Sequence, residues 1–262
     1  MARALDVILL GTGAAFPPAD RENTSLVLEW EDGLWLIDAG ASPERRMRRA
    51  GLDPSRLRGI LLTHTHPDHL YGLPSLIHCL VPKPRGEPLP ILGLSSVLKT
   101  ARALLETFDL AERPEVPLRW VTVPEDSIRG GTPVWREGDL RLWTEAVAHS
   151  RPCIGVRAQC GEASMAYTSD TEPCEGVDRL AQGVDLLVHE ATCRESARSE
   201  MHEGHSTAED AGRAAERARA GTLLLVHFLE ETIQDPPALM EEAGKVYLGR
   251  ILVGEELERY RV

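Results

Sequence analysis

His64-Thr65-His66-Pro67-Asp68-His69 places three imidazoles and a carboxylate within one short run, directly after the apolar segment 59–63. Imidazole nitrogen and carboxylate oxygen are the donors that suit zinc and other borderline divalent metals. In an extended turn, residues two apart point the same way, so His64 and His66 can share one ion. Asp68 and His69 then face elsewhere and can serve a second. The run reads as half of a two-metal site, and such sites are typically hydrolytic. A His-rich turn can also be a solvated loop, but this spacing behind a buried strand carries its own coordination logic.

Two ions need more donors. His149, Asp170 and His227 stand at or just beyond the ends of the apolar segments 140–148, 164–168 and 223–226, and Asp38 and His189 are placed alike. Polar groups at the carboxyl ends of buried strands mark sites in α/β architectures. A carboxylate has two oxygens and can bridge ions about 3.5 Å apart. The economical assignment is His64, His66 and His149 on one metal, Asp68, His69 and His227 on the other, and Asp170 between them. A water acidified by both cations would be the nucleophile, with Asp68 orienting it or taking its proton.

The elements that must position these groups follow from the pattern of apolar residues. Strands are expected at 5–10, 25–30, 34–38, 58–63, near Ile91, and at 140–148, 153–159, 164–168, 184–188 and 221–226. Glu31-Asp32-Gly33 signals a hairpin. Helices are expected at 95–108, 175–181, 207–220 and 237–243, and one opened by Ser42-Pro43-Glu44 and closed by Gly51. In each half, strands come first and helices separate the later strands. That order predicts an α/β (α+β) domain of two mixed sheets packed face to face with helices outside, spanning 1–262. The Pro-rich stretch 81–90 reads as a surface loop, with shaping of substrate access as the alternative.

Composition narrows the function classes. The chain has 262 residues, 42% of them apolar, and a net charge of −12. That charge argues against broad nucleic-acid binding, though bound cations invert the local field and leave nucleotide substrates open. No apolar run is long enough to span a membrane and no export signal is evident, so a cytoplasmic protein without membrane partners is expected. Five widely spaced cysteines without a C-x-x-C read as reduced thiols. The one basic cluster, Arg45-Arg46-Met47-Arg48-Arg49, reads as a solvated helix face.

From Val7 to about Phe228 the chain resembles the metallo-β-lactamase fold hydrolases, in particular the ribonuclease Z-like branch. The resemblance is carried by Leu10-Gly11-Thr12-Gly13, Arg21-Glu22-Asn23-Thr24-Ser25, Ile37-Asp38-Ala39-Gly40 and the metal motif with its continuation Leu70-Tyr71-Gly72-Leu73-Pro74. Ser169-Asp170-Thr171, His189-Glu190-Ala191-Thr192 and Gly204-His205-Ser206-Thr207 extend it. It implies a four-layer αββα sandwich, two divalent ions (zinc, with manganese or iron also accepted), the donor set above and a homodimer. It also implies that Glu190 orients His205. True β-lactamases of the superfamily usually lack a His at the position of His69 and use a Cys ligand. Glyoxalase II-like thioesterases carry a Gly-rich segment around the third His, where this chain has His149-Ser150-Arg151-Pro152. Both differences resemble the phosphodiesterase branch.

His205 has its own rationale. Ser206 with Glu209 reads as a capping box, which would set His205 just ahead of a helix N-terminus that favours an anion. An imidazolium there would bind a phosphate oxygen and protonate the leaving alkoxide. His189 is expected to hold a ligand by hydrogen bond, His78 to lie on a helix flank, and His202 to be exposed. Ribonuclease Z enzymes that mature transfer RNA insert a long arm between the third His and the bridging Asp, and the short 149–170 segment has no room for one. The short spacing resembles compact phosphodiesterases acting on cyclic ribose phosphates, although the clustered cysteines of their extra zinc site are missing. The expected activity is a dinuclear phosphodiesterase on small nucleotide-like or cyclic phosphodiesters. The alternatives are a ribonuclease Z-type RNA 3′-end endonuclease, a lactone, ester or thioester hydrolase, and a non-enzymatic metal-binding module.

Overall fold

Long apolar runs interrupted by Gly, Asp and Pro give short strands that are buried along nearly their whole length. In the computed structural model, which describes residues 5–200 and 203–262, they form two seven-stranded sheets. The first contains β1 (Asp6–Gly11), β2 (Ser25–Trp30), β3 (Gly33–Ile37), β4 (Leu57–Leu61), β5 (Leu89–Gly93) and β6 (Leu118–Thr122). The second contains β7 (Trp135–Glu137), β8 (Leu140–Val147), β9 (Cys153–Cys160), β10 (Ala163–Tyr167), β11 (Leu186–Glu190), β12 (Thr222–Val226) and β13 (Arg250–Val253). β14 (Arg259–Arg261) returns to the first sheet beside β1. Each sheet is half antiparallel and half parallel. β14, β1, β2 and β3 pair antiparallel before β3 to β6 run parallel, and β7 to β10 pair antiparallel before β10 to β13 run parallel.

The sheets pack face to face. One apolar cluster joins Leu34, Trp35 and Ile60 of the first to Leu142, Val156 and Met165 of the second, and Trp35 meets Trp135 edge-on at 5.4 Å. Helices cover the outer faces. α1 (Pro43–Arg49), α2 (Pro67–Leu70), α3 (Leu73–Leu80) and α4 (Ser95–Glu106) belong to the first half. α5 (Glu175–Ala181), α6 (Ala208–Ala218), α7 (Glu230–Ile233) and α8 (Pro236–Gly244) belong to the second. α6 lays a stripe of alanines, Ala208, Ala211, Ala215 and Ala218, against the second sheet, which lets it approach closely. The expected αββα layering is present. The strands β6, β7, β13 and β14 were not expected, since each is short and half exposed and gives little periodic signal.

Two further expectations are corrected. The capping box of α6 is built from Thr207 and Asp210, not from Ser206 and Glu209. The Ser206 hydroxyl instead donates to the Thr171 carbonyl at 2.6 Å, which pulls it out of register with the helix axis. Arg46 is not on a solvated face: it is buried, donates to the Leu10 carbonyl at 2.7 Å and pairs with Glu256. The loop 81–90 is a surface loop as expected, and it is remote from the candidate site, because Arg85, Pro88 and Pro90 gather with Arg58 at the amino ends of the parallel strands. No disulfide occurs among the described residues. Among them, no helix is long and apolar enough to cross a membrane. Residues 1–4 and His202, expected to be exposed, lie outside the described residues.

Candidate metal centre

The site lies where the carboxyl ends of β3, β4, β8, β10, β11 and β12 converge, each strand releasing its polar group as it leaves the core. The turns are sharp. Asp38 (φ 60°), Ser169 (φ 56°) and His227 (φ 65°) all take the left-handed conformation directly or just after a strand end. Such residues are uncommon outside glycine and gather at functional sites. In the metal motif, His66 stays extended and Pro67 opens α2. Proline at a first helical position is pre-organised for the helix. The chain therefore switches from strand-like to helical between His66 and Asp68, and the four donors separate into two pairs.

Two donor sets result. Atoms of His64, His66, His149 and Asp170 lie within 4.8 Å of one another, as do atoms of Asp68, His69, Asp170 and His227. Asp170 serves both: Oδ2 lies 3.6 Å from His64 Nε2, and Oδ1 lies 3.4 Å from His69 Nε2 and 3.3 Å from His227 Nε2. The sequence-derived grouping is reproduced in space.

Neighbouring groups decide which ring nitrogen of each histidine is free. His69 Nδ1–H donates to Asp38 Oδ2 at 2.7 Å. His149 Nδ1–H donates to the Gly204 carbonyl at 2.7 Å. The Thr63 hydroxyl spends its proton on Asp38 Oδ2, so it accepts from His64 Nδ1 at 3.0 Å. The Thr192 hydroxyl spends its proton on Glu190 Oε2, so it accepts from His227 Nδ1 at 2.9 Å. In all four rings the Nε2 lone pair is thereby turned toward the donor sets, the arrangement by which outer groups orient metal-binding imidazoles.

A cation fits what remains. His69 Nε2, Asp170 Oδ1 and His227 Nε2 are buried and make no hydrogen bond, and orphaned buried polar atoms are rare and costly. Burial holds the imidazoles of His64, His66 and His149 below their ordinary range, hence neutral and able to ligate. Burial pushes the carboxyls of Asp68 and Asp170 up, but His227 and His69 beside them outweigh it and leave both well below the usual carboxylate range. Burial also disfavours charge on His69, yet Asp170 and Asp38 raise it well above normal. The extra proton that the buried carboxylates favour on His69 would occupy Nε2, the same atom that would bind a cation, so the two compete for one place short of positive charge.

A third group borders the second. Glu190 Oε1 meets His205 Nδ1 at 3.0 Å, and the same carboxylate accepts from the backbone N–H of Thr171 and of Ser206. Burial lowers the His205 imidazole, but the charge and hydrogen bond of Glu190 overcome it and carry it up to about 9. His205 stacks on His227 at 5.4 Å. The helix N-terminus is not aimed at the cavity, since its first N–H groups go to Thr207, Asp210 and Glu242. The anion preference expected of His205 therefore comes from its own charge. His189 holds no donor of either set: it is buried and bonds the Glu190 carbonyl through Nδ1 at 2.7 Å. His78 lies exposed on α3.

With this geometry in hand, residues 35–228 match the beta-lactamase superfamily domain. The chain belongs to that superfamily. It is a metal-dependent hydrolase of the metallo-β-lactamase fold, related to ribonuclease Z. A protein named Ribonuclease Z from Mycobacterium bovis (strain BCG / Pasteur 1173P2) is 30% identical and covers 98% of both chains. The metallo-beta-lactamase fold protein YhfI from Bacillus subtilis superposes with a TM-score of 0.84 at 20% identity, over 99% of this chain and 100% of that one. A diphosphatase of the PhnP family superposes with a TM-score of 0.75 at 18% identity, over 98% and 97%. The superfamily members thus share the two mixed sheets with flanking helices described above.

Sequence reasoning passed over four supports of this site. Asp38 was noted only as a strand-end acid, and its pairing with His69 crosses from β3 to α2. Thr63, Thr192 and Gly204 carry no chemical signal of their own. Only their places within one or two residues of His64, Glu190 and His205 could have drawn attention to them.

Proposed function

We propose that the chain, as one hydrolase domain, is a dinuclear metal phosphodiesterase acting on small nucleotide-like or cyclic phosphodiesters. The observation that supports this reading is the set of two donor groups sharing Asp170, with a protonated His205 beside the second. His64, His66 and His149 would hold one ion, Asp68, His69 and His227 the other, and Asp170 both. His-rich donor sets suit zinc, with manganese and iron as competitors. When bound, two divalent cations neutralise non-bridging phosphate oxygens and lower the pKa of water.

The residues supply the rest. Asp38, Thr63, Gly204 and Thr192 hold the imidazoles in the ligating tautomer. Asp68, kept ionised by His69 and His227, orients the attacking water or accepts its proton. Glu190 keeps His205 protonated through Nδ1, which leaves Nε2–H to donate to a phosphate oxygen and then to the departing alkoxide. An imidazolium also matches the negative charge that a phosphodiester carries from the ground state onward, whereas a neutral carboxylic ester gains its charge only in the tetrahedral intermediate, and this favours phosphorus over carbon.

A second reading, an RNA 3′-end endonuclease, is favoured by the name of the relatives at 30% identity. Against it stand the net charge of −12 and a cavity with no Lys or Arg among its described lining residues. One panel separates the readings. Zinc- or manganese-loaded protein is given bis(p-nitrophenyl) phosphate, cyclic nucleotides, precursor transfer RNA and lactones. Turnover of the small diesters is expected, and His205→Ala should cut it by about a hundredfold or more while leaving metal content intact. Lactone turnover without diester turnover sinks the proposal, and preferential cleavage of precursor transfer RNA transfers it to the second reading.

A further inference from the structure

His66, Asp68, Asp170 and His227 of the donor sets line a cavity of about 600 Å³, large enough for a molecule of nucleotide size, and form its metal floor. Its walls are uneven in chemistry. One side is apolar, built by Ala14, Ala15, Phe16 and Leu229, while Glu203, Glu230 and Glu231 stand at the rim. Among the described lining residues there is neither Lys nor Arg. Phosphate-rich ligands and RNA are normally gripped by such cations.

Phe16 stands out on this wall, with 80% of its surface exposed. A single exposed aromatic is ordinary on a protein surface. This one lines the same cavity as Asp68, Asp170 and His205, and its loop is fastened. Ala14 N–H donates to the Phe228 carbonyl at 2.9 Å, and Asn23 Nδ2 donates to the Ala14 carbonyl at 2.6 Å. Ala19 N–H donates to Glu230 Oε2 at 3.2 Å. Pro17 and Pro18 fix two backbone angles directly after the ring. The ring is thus presented at the mouth of the site by a pinned loop, with its flat face free to take a partner.

We propose that Phe16 is the specificity-determining residue of this cavity: it stacks on a flat aromatic or base-like group of a phosphodiester that carries a single negative charge. The inference rests on the phosphodiesterase reading above. The metal floor receives the one charged phosphate, the Phe16 wall receives the uncharged ring, and the rim glutamates repel any further phosphate. A mononucleotide diester fits this division, and a polyanionic strand or a diphosphate does not.

The test compares substrates that share a leaving group. Metal-loaded protein hydrolyses bis(p-nitrophenyl) phosphate and methyl p-nitrophenyl phosphate, and the ratio of their kcat/KM values is measured for the native chain, Phe16→Ala and Phe16→Trp. Stacking lost to alanine should shrink the aromatic preference about tenfold, within the range known for base–aromatic stacking, and tryptophan should keep it. Calorimetric titration with diphenyl phosphate and dimethyl phosphate reads binding without turnover, and the same loss is expected for the diphenyl compound. A ratio and a diphenyl phosphate affinity that Phe16→Ala leaves in place overturn the assignment, whether or not diesters are cleaved. Phe16-dependent binding without any diester turnover upholds it and instead removes the phosphodiesterase reading.

Discussion

Asp38→Asn isolates the role of a residue that touches no candidate metal position. Asp38 is fully buried, and its carboxylate accepts three hydrogen bonds. Thr63 N–H reaches Oδ1 at 2.9 Å, while the Thr63 hydroxyl and His69 Nδ1–H reach Oδ2 at 2.9 and 2.7 Å. Asparagine keeps the shape and tolerates the φ of 60° found there. With its oxygen on Thr63 N–H, its amide nitrogen faces two donors. The imidazole must then move its proton to Nε2, the atom that points at Asp68 and Asp170. With the amide flipped, two N–H groups confront each other at Thr63. Either way a buried donor loses its acceptor, which costs the metal-free fold about 1–3 kcal/mol. The Asp68–His69–His227 set should lose about 10- to 100-fold in metal affinity, or about 1.4–2.7 kcal/mol. The His64–His66–His149 set keeps the Gly204 carbonyl on His149 and is reached only indirectly, through the Thr63 hydroxyl on His64, so it should change less. Stepwise competition with a chelator, followed by metal analysis of the protein, reads the two losses separately. Release of both ions at native chelator concentrations, or earlier loss from the other set, would refute the tautomer argument.

Three further outcomes follow from the same contacts. Gly204 has φ 94°, and a Cβ there would lie 2.6 Å from His149 Nδ1, so Gly204→Ala should displace His149. Chelator competition should then show the reverse order of loss, and native retention at both sets would contradict it. Glu256→Ala strands the buried Arg46, which breaks a buried ion pair and should cost about 3–5 kcal/mol in urea unfolding; a loss below about 1 kcal/mol would place the pair among weak surface bridges. Metal removal should lower the melting temperature, because an ion at a hundred times its Kd stabilises the fold by about 2.7 kcal/mol. A melting temperature indifferent to zinc and manganese would mean that the orphaned atoms of His69, Asp170 and His227 answer to something else.

Legibility tracked the range of each interaction. The strands β2 and β8 and the helix α5 follow from local apolar patterning and were readable within a residue or so. The residues that gather at the candidate centre were readable as well, because His and Asp at the ends of apolar strands have few other uses. The capping box was misplaced by one residue because Thr207 and Ser206 are chemically alike. Only the Thr171 carbonyl, remote in sequence, draws Ser206 away from the helix. Arg46 was read as solvated because its partner Glu256 lies at the far end of the chain.

The order of residues by itself therefore pointed to the type of chemistry: candidate metal donors at strand ends, two groups of them, and Glu190 proposed to orient His205. Tertiary structure decided what those donors can be. It aligned four imidazoles through Asp38, Thr63, Gly204 and Thr192, turned the two oxygens of Asp170 to opposite sets, and raised His205 by setting it against the Glu190 carboxylate in spite of its burial. It also brought Phe16 and an uncharged wall over the floor while leaving basic groups elsewhere. Donor identity is a property of single residues, whereas tautomer, charge and cavity lining are properties of neighbours: the tautomer partners meet within each half of the chain, and Asp170 meets His64 and His69, and the cavity gains its lining, only when the two sheets close on each other.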